Sequence, residues 1–71
     1  MNIGEVIETL RQGGAAARSG WNGTGMRIYL KTFDRCEPCI VLVNAQGMHQ
    51  PGWVASQADL LAEDWSPRLN G

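Results

Sequence analysis

One local signature occurs twice in this chain and fixes where its helices can begin. Asn2 stands three residues before Glu5, and Ser56 three residues before Asp59. In each pair a short polar side chain can accept from a backbone N–H of the first turn, and a carboxylate can reach back to the cap. Behind the first pair, Ile3, Val6, Ile7 and Leu10 recur at i, i+3, i+4 and i+7, so residues 3–12 read as an amphipathic helix. Gly13-Gly14 closes it, because glycine accepts the left-handed conformation that ends helices. Behind the second pair a shorter helix over residues 57–62 is expected, its acidic first turn facing the positive end of the helix dipole.

What lies between the two helices reads as strand and turn. Ala15 to Ser19 is a short strand by context, since alanine has poor β propensity. Asn22-Gly23 is the strongest hairpin signal, both residues tolerating positive φ. Met26 to Lys31 alternates Met26, Ile28 and Leu30 against Arg27, Tyr29 and Lys31, the pattern of a strand with one buried and one solvated face. Cys39 to Asn44 is a continuous apolar run and reads as a more buried strand. Asn44-Ala45-Gln46-Gly47 turns the chain, Met48 to Gln50 returns, and Pro51-Gly52 ends the pairing. Asp64-Trp65-Ser66 is expected as an edge strand stopping before Pro67, with Arg68 to Gly71 a frayed tail. The whole, residues 1–71, is one α+β domain: an N-terminal helix, an antiparallel β-sheet and a second short helix.

A chain of 71 residues builds only a thin core. Domains of this size bury roughly 60 % of the surface their unfolded form exposes. Self-association fits the sequence best as the missing source of burial, because the apolar strand surface exceeds what two short helices can cover. The formal net charge is −1 with opposite signs interspersed, so no basic stripe tracks a phosphate backbone, and a nucleic acid polymer is not an expected partner. No apolar run approaches the ~20 residues that span a bilayer, and the start lacks a basic segment followed by an apolar stretch. A soluble, cytoplasmic protein with no membrane association is expected.

Catalytic patterns are sparse. There is no Ser/His/Asp set in recognisable context and no G-x-x-x-x-G-K-[ST] loop, and Gly20 to Gly25 does not match a dinucleotide G-x-G-x-x-G. Asp59, Glu63 and Asp64 read as capping and solvated charge, since nothing partners them as nucleophile or base. Cys36 and Cys39 form the one C-x-x-C, but a redox motif of that kind sits at a helix start, whereas Ile40-Val41-Leu42-Val43 follows here. Zinc needs about four ligands, and His49 is the only obvious addition to the two thiols. No enzyme, metal or cofactor is expected; His49 reads as a turn or strand-surface residue.

Binding is better supported. All three Trp fall in two segments, Arg18 to Met26 and Gly52 to Trp65, which also hold the polar side chains able to orient a ligand. Indole faces stack on bases, while Asn, Gln and backbone N–H groups add the directional bonds. Trp65, following Leu60-Leu61, is the best core candidate; Trp21 and Trp53 adjoin turns and glycines and are expected to face a ligand.

The spelling of these segments, Arg18-x-Gly20-Trp21-Asn22-Gly23-x-Gly25-Met26 and Trp53-x-Ala55-Ser56-Gln57-x-Asp59-Leu60-Leu61-Ala62-Glu63-Asp64-Trp65, resembles the motifs of the phage Thoeris anti-defence protein two family. The opening Asn2-Ile3-Gly4-Glu5 helix and the Gly13-Gly14 turn are similar too, so the likeness covers nearly the whole chain. The resemblance implies a homotetramer, a dimer of dimers, working in the bacterial host cytoplasm. It also implies a molecular sponge, a protein that sequesters glycocyclic ADP-ribose, and in some members cyclic dinucleotides at a separate site, without cleaving them. Carried onto this chain, the implied ligand-binding residues are Arg18, Trp21, Asn22, Gly23, Met26, Arg27, Trp53, Ala55, Ser56, Gln57 and Asp59. Trp21 or Trp53 would stack on a base, Asn22, Ser56 and Gln57 would bond ribose or phosphate, and Arg18 and Arg27 would face phosphate charge. The chain departs from the family pattern at Thr24, where a basic residue is usual, and at Gly52, inserted between Pro51 and Trp53. Two other classes stay open, a phage inhibitor that binds a host protein through the same Trp surface and a C-x-x-C thiol protein.

Overall fold

A computed structural model describes residues 1–21 and 25–68 of the chain. Helix α1 (Ile3–Arg11) begins as its signature requires: the Asn2 side chain accepts from the Glu5 N–H at 3.0 Å, and Glu5 Oε1 accepts from the Asn2 N–H at 2.9 Å. It ends at Gln12, with Gly13 at φ +89°, the left-handed conformation that lets the chain turn back. The strands are β1 (Ala15–Arg18), β2 (Arg27–Lys31), β3 (Cys39–Val43), β4 (His49–Pro51) and, after helix α2 (Gln57–Leu61), β5 (Trp65–Arg68). They form one antiparallel sheet in the order β4-β3-β2-β1-β5. The expected α+β class and element order are therefore the observed ones. The Asn22-Gly23 turn lies outside the described residues; the strands flanking it, β1 and β2, are antiparallel neighbours through Ala15↔Tyr29 and Ala16↔Ile28.

Both edges of the sheet carry a proline. Pro51 lies opposite Val41 in β4, and Pro67 lies opposite Ala16 in β5, so the last strand runs through Pro67 to Arg68 instead of stopping before it. Proline lacks the N–H for a second ladder and is tolerated where only one neighbour exists. Just past β4, the N–H groups of Gly52 and Trp53 both donate to the Ile40 carbonyl at 3.0 Å, the two-against-one arrangement of a β-bulge. Gly52 sits at φ +83°, which a side chain would strain, so the extra glycine has a defined place at the point where the chain leaves the sheet.

Register sorts the side chains. Ala16, Ile28, Leu30, Ile40 and Leu42 share one face, and on that face the core gathers, with Val6 and Leu10 of α1 and Trp65 packed against Ala16 and Ile28. The N-terminal ammonium group fixes α1 to the far edge by donating to the Trp65 carbonyl at 2.9 Å. On the opposite face Ala15, Ala17, Val41 and Val43 are also buried, without belonging to that cluster. There Tyr29 and His49 meet across β3, Oη to Nδ1 at 2.7 Å with the rings edge-on, and roof the two valines between them.

Candidate functional site

After β4 the chain crosses to the far edge on the helical face, which brings the three indoles together. Trp21 follows β1, Trp53 is the second residue of the bulge and Trp65 opens β5. Their ring centroids are 5.2 Å (Trp21–Trp65), 6.2 Å (Trp53–Trp65) and 6.3 Å (Trp21–Trp53), all edge-to-face. That is the preferred geometry for aromatic pairs, the positive edge of one ring meeting the negative face of the next. Trp65 is buried, as expected; Trp21 and Trp53 are half-buried, leaning on the core with part of each ring in solvent. The expectation that these two simply face a ligand is thus refined: each is both core wall and open surface.

Helix α2 has an unusual interior. Its leucines point outward, Leu61 at 79 % exposure and Leu60 at 41 %, while its one buried residue is an acid, Asp59, at 7 %. The acid is buried because it is fully occupied. Asp59 Oδ2 accepts from the Ser56 N–H at 3.0 Å, completing a capping box in which Ser56 Oγ accepts from the Asp59 N–H at 3.1 Å. Asp59 Oδ1 accepts from Arg18 Nη1 at 2.9 Å and from Trp21 Nε1 at 3.3 Å, and the Asp59 carbonyl accepts from Trp65 Nε1 at 3.0 Å. Burial pushes this carboxyl up, but the bonds from Ser56, Arg18 and Trp21 outweigh it and hold the group below the ordinary carboxylate range.

A second carboxylate completes the cluster. Asp64 Oδ1 accepts from Arg18 Nε at 2.9 Å, while Oδ2 accepts from the Gly20 N–H at 2.9 Å and from Ser19 Oγ at 3.2 Å. Arg18 lowers its pKa, against a smaller opposing effect of burial, with help from Gly20 and Ser19. The same two acids raise the pKa of Arg18, Asp64 more strongly than Asp59. The arginine fork thus bridges a carboxylate on α2 and one on the lead-in to β5. The fit beside Gly20 is tight, since a Cβ there would meet Asp64 Oδ2 at 3.1 Å and the carboxylate would have to give by a few tenths of an ångström.

Of the residues expected to bind ligand, Arg18, Trp21, Trp53, Ser56 and Asp59 converge here. Ala55 is half-buried between Trp53 and α2, and Gln57 stands exposed as the first residue of that helix. Met26 and Arg27 are half-buried at the start of β2, where Arg27 Nη1 donates to the Gly25 carbonyl at 3.1 Å. Asn22 and Gly23 lie outside the described residues. Sequence reasoning missed Asp64. It sits 46 positions from Arg18, beyond the reach of any spacing rule; the closing motif includes it, but its charge read as solvated.

Two other features stand apart. A concavity of about 280 Å³ between α1 and the β2–β3 pair is lined by Ile7, Leu10, Leu30 and Ile40 among others, and contains none of the expected ligand residues. Cys39 opens β3, not a helix, and both Cys36 and Cys39 are free thiols. No group of three His, Cys, Asp or Glu suited to a metal occurs among the described residues, and none of the described helices is long and apolar enough to cross a membrane.

The fold and its Trp–carboxylate cluster define a small α+β domain with one elaborated end, and comparison with known proteins gives that domain a family. Residues 1–66 match the family model described as the Thoeris anti-defense 2-like domain, and the chain belongs to that family. A protein of Bacillus phage SP01, Thoeris anti-defense 2, is 37 % identical over 81 residues, covering 92 % of this chain and 91 % of the phage protein.

Proposed function

We propose that this protein is a sponge: a tetrameric anti-defence protein of the host cytoplasm that binds a nucleotide-derived immune signal, glycocyclic ADP-ribose or a cyclic dinucleotide, and releases it unchanged. The half-buried pair Trp21 and Trp53 carries the reading. Two indoles, each braced at its edge by another ring and by the core, keep part of their surface open at low entropic cost, which suits stacking on a base. The polar side chains beside them, Ser56 and Gln57, fit ribose and phosphate oxygens. Family membership supports the anti-defence role. The carboxylates speak for binding over chemistry: Asp59 is held below the ordinary range by Ser56 and Arg18 and Asp64 by Arg18, a poor arrangement for a general acid at neutral pH. Assembly of copies is supported by the exposed apolar side chains of Val54 and Leu61.

The test is calorimetric titration with glycocyclic ADP-ribose and a cyclic dinucleotide panel, followed by heat release and mass analysis of the ligand, with light scattering for the assembly. The expected result is saturable binding with the ligand recovered intact, from a particle of four chains. A chemically altered ligand would mean an enzyme. Failure of every probe to bind would favour the protein-inhibitor class, and loss of activity in a Cys36→Ser/Cys39→Ser double variant would favour the thiol class.

A further inference from the structure

The Asp64 carboxylate, to which no ligand role was assigned from the sequence, is bonded as heavily as that of Asp59. Asp64 receives three side-chain bonds from the segment that leads into Trp21: Arg18 Nε, Ser19 Oγ and the Gly20 N–H. A fourth tie runs between main chains, from the Ser19 N–H to the Asp64 carbonyl at 3.3 Å. One turn later, Trp21 is bonded through Nε1 to Asp59, which Arg18 also holds. The ties of Ser19 and Gly20 therefore end on Asp64, and the ring of Trp21 is tied to Asp59, which shares Arg18 with Asp64. Carboxylates outnumber guanidinium groups in the cluster, so Arg18 offers no net positive charge to an incoming anion.

We propose that Asp64 is the positioning residue of the ligand site, with Arg18 as its arm: the acid sets the Ser19–Gly20 backbone and the guanidinium, and these fix the pose of Trp21 against Trp53. This rests on the sponge reading and deepens it, by moving Arg18 from a phosphate contact to a structural clasp and giving a role to a motif residue left out of the expected ligand set. Asp64 touches no ligand in this account. A pre-set ring avoids the cost of ordering on binding, so the effect of Asp64 falls on affinity through Trp21.

Asp64→Asn tests it, because the amide oxygen can still accept from Gly20 or Ser19 while the charge facing Arg18 is gone. Asn2→Ala, which removes only the exposed cap of α1, serves as the control for general loss of stability. Two readouts are taken on the whole assembled protein: affinity for glycocyclic ADP-ribose and a cyclic dinucleotide, and the three indole N–H resonances without ligand. Asp64→Asn should weaken binding by about tenfold or more, with Asp64→Glu recovering part of it. The Trp21 resonance should move while that of Trp65 stays; Asn2→Ala should bind as the parent does. Parent-like affinity in Asp64→Asn, or equal movement of the Trp21 and Trp65 resonances, would overturn the proposal. If the parent binds neither probe, the sponge reading fails; the indole spectra still decide whether Asp64 sets Trp21.

Discussion

The two helices start with the same motif and put it to different use. At α1 the box closes on itself: the Asn2 and Glu5 side chains bond each other's backbone at the surface, while the helix is held by Val6 and Leu10 underneath. At α2 the acid of the box is the buried residue, and beyond Ser56 it takes Arg18 and Trp21 as partners. A capping box fixes the first turn of a helix; what its carboxylate does afterwards depends on what the fold brings to it. A helix with five residues and outward leucines has little packing of its own, so α2 is held in place by its acid and by the indole bonded to its carbonyl.

The largest effect should come from the indole that α2 shares with the core. Trp65→Ala leaves a cavity between α1, Ala16 and Ile28 and should cost about 3–5 kcal/mol, enough in a chain of this size to abolish a cooperative thermal transition. Next, Asp59→Ala should destabilise by about 2–3 kcal/mol because it strands buried donors, against about 1 kcal/mol or less for Glu5→Ala, whose partner is solvated. Equal losses in thermal denaturation would erase the contrast between the two boxes. Acid should separate them as well. Asp59 and Asp64 sit below the ordinary carboxylate range in the folded state, so the stability they add is present above about pH 4 and is lost as pH falls through their depressed folded values. Melting temperature should be flat from neutrality to about pH 5 and fall below about pH 4, and Asp59→Ala should fall less steeply there. Effects as small as that of Glu5→Ala should come from Asn2→Ala and Ser56→Ala, each about 1 kcal/mol or less, since each removes one cap acceptor and no tertiary bond.

Much of the architecture was legible because it is local. The caps, the alternation of β2 and the apolar run of β3 each lie within one stretch of chain, and strand boundaries moved by a residue or so. The last strand was expected at an edge but ended too early: an edge strand can run on through a proline whose missing N–H faces away from its one neighbour, and the register of β5 against β1 decides that. The site was half legible: motif spelling gathered Arg18, Trp21, Trp53, Ser56 and Asp59, but the role of Arg18 depends on Asp64, a partner set by the pairing of β1 with β5. Whether an arginine meets a ligand or a neighbouring acid is decided by tertiary contact.

The most direct test of the account is to follow the three indole N–H resonances while glycocyclic ADP-ribose is added to the assembled protein. The account predicts that Trp21 and Trp53 move together and saturate while Trp65, bonded inside to the Asp59 carbonyl, moves least. Saturable binding that leaves Trp21 and Trp53 unmoved and shifts Tyr29 and His49 on the opposite sheet face would contradict it.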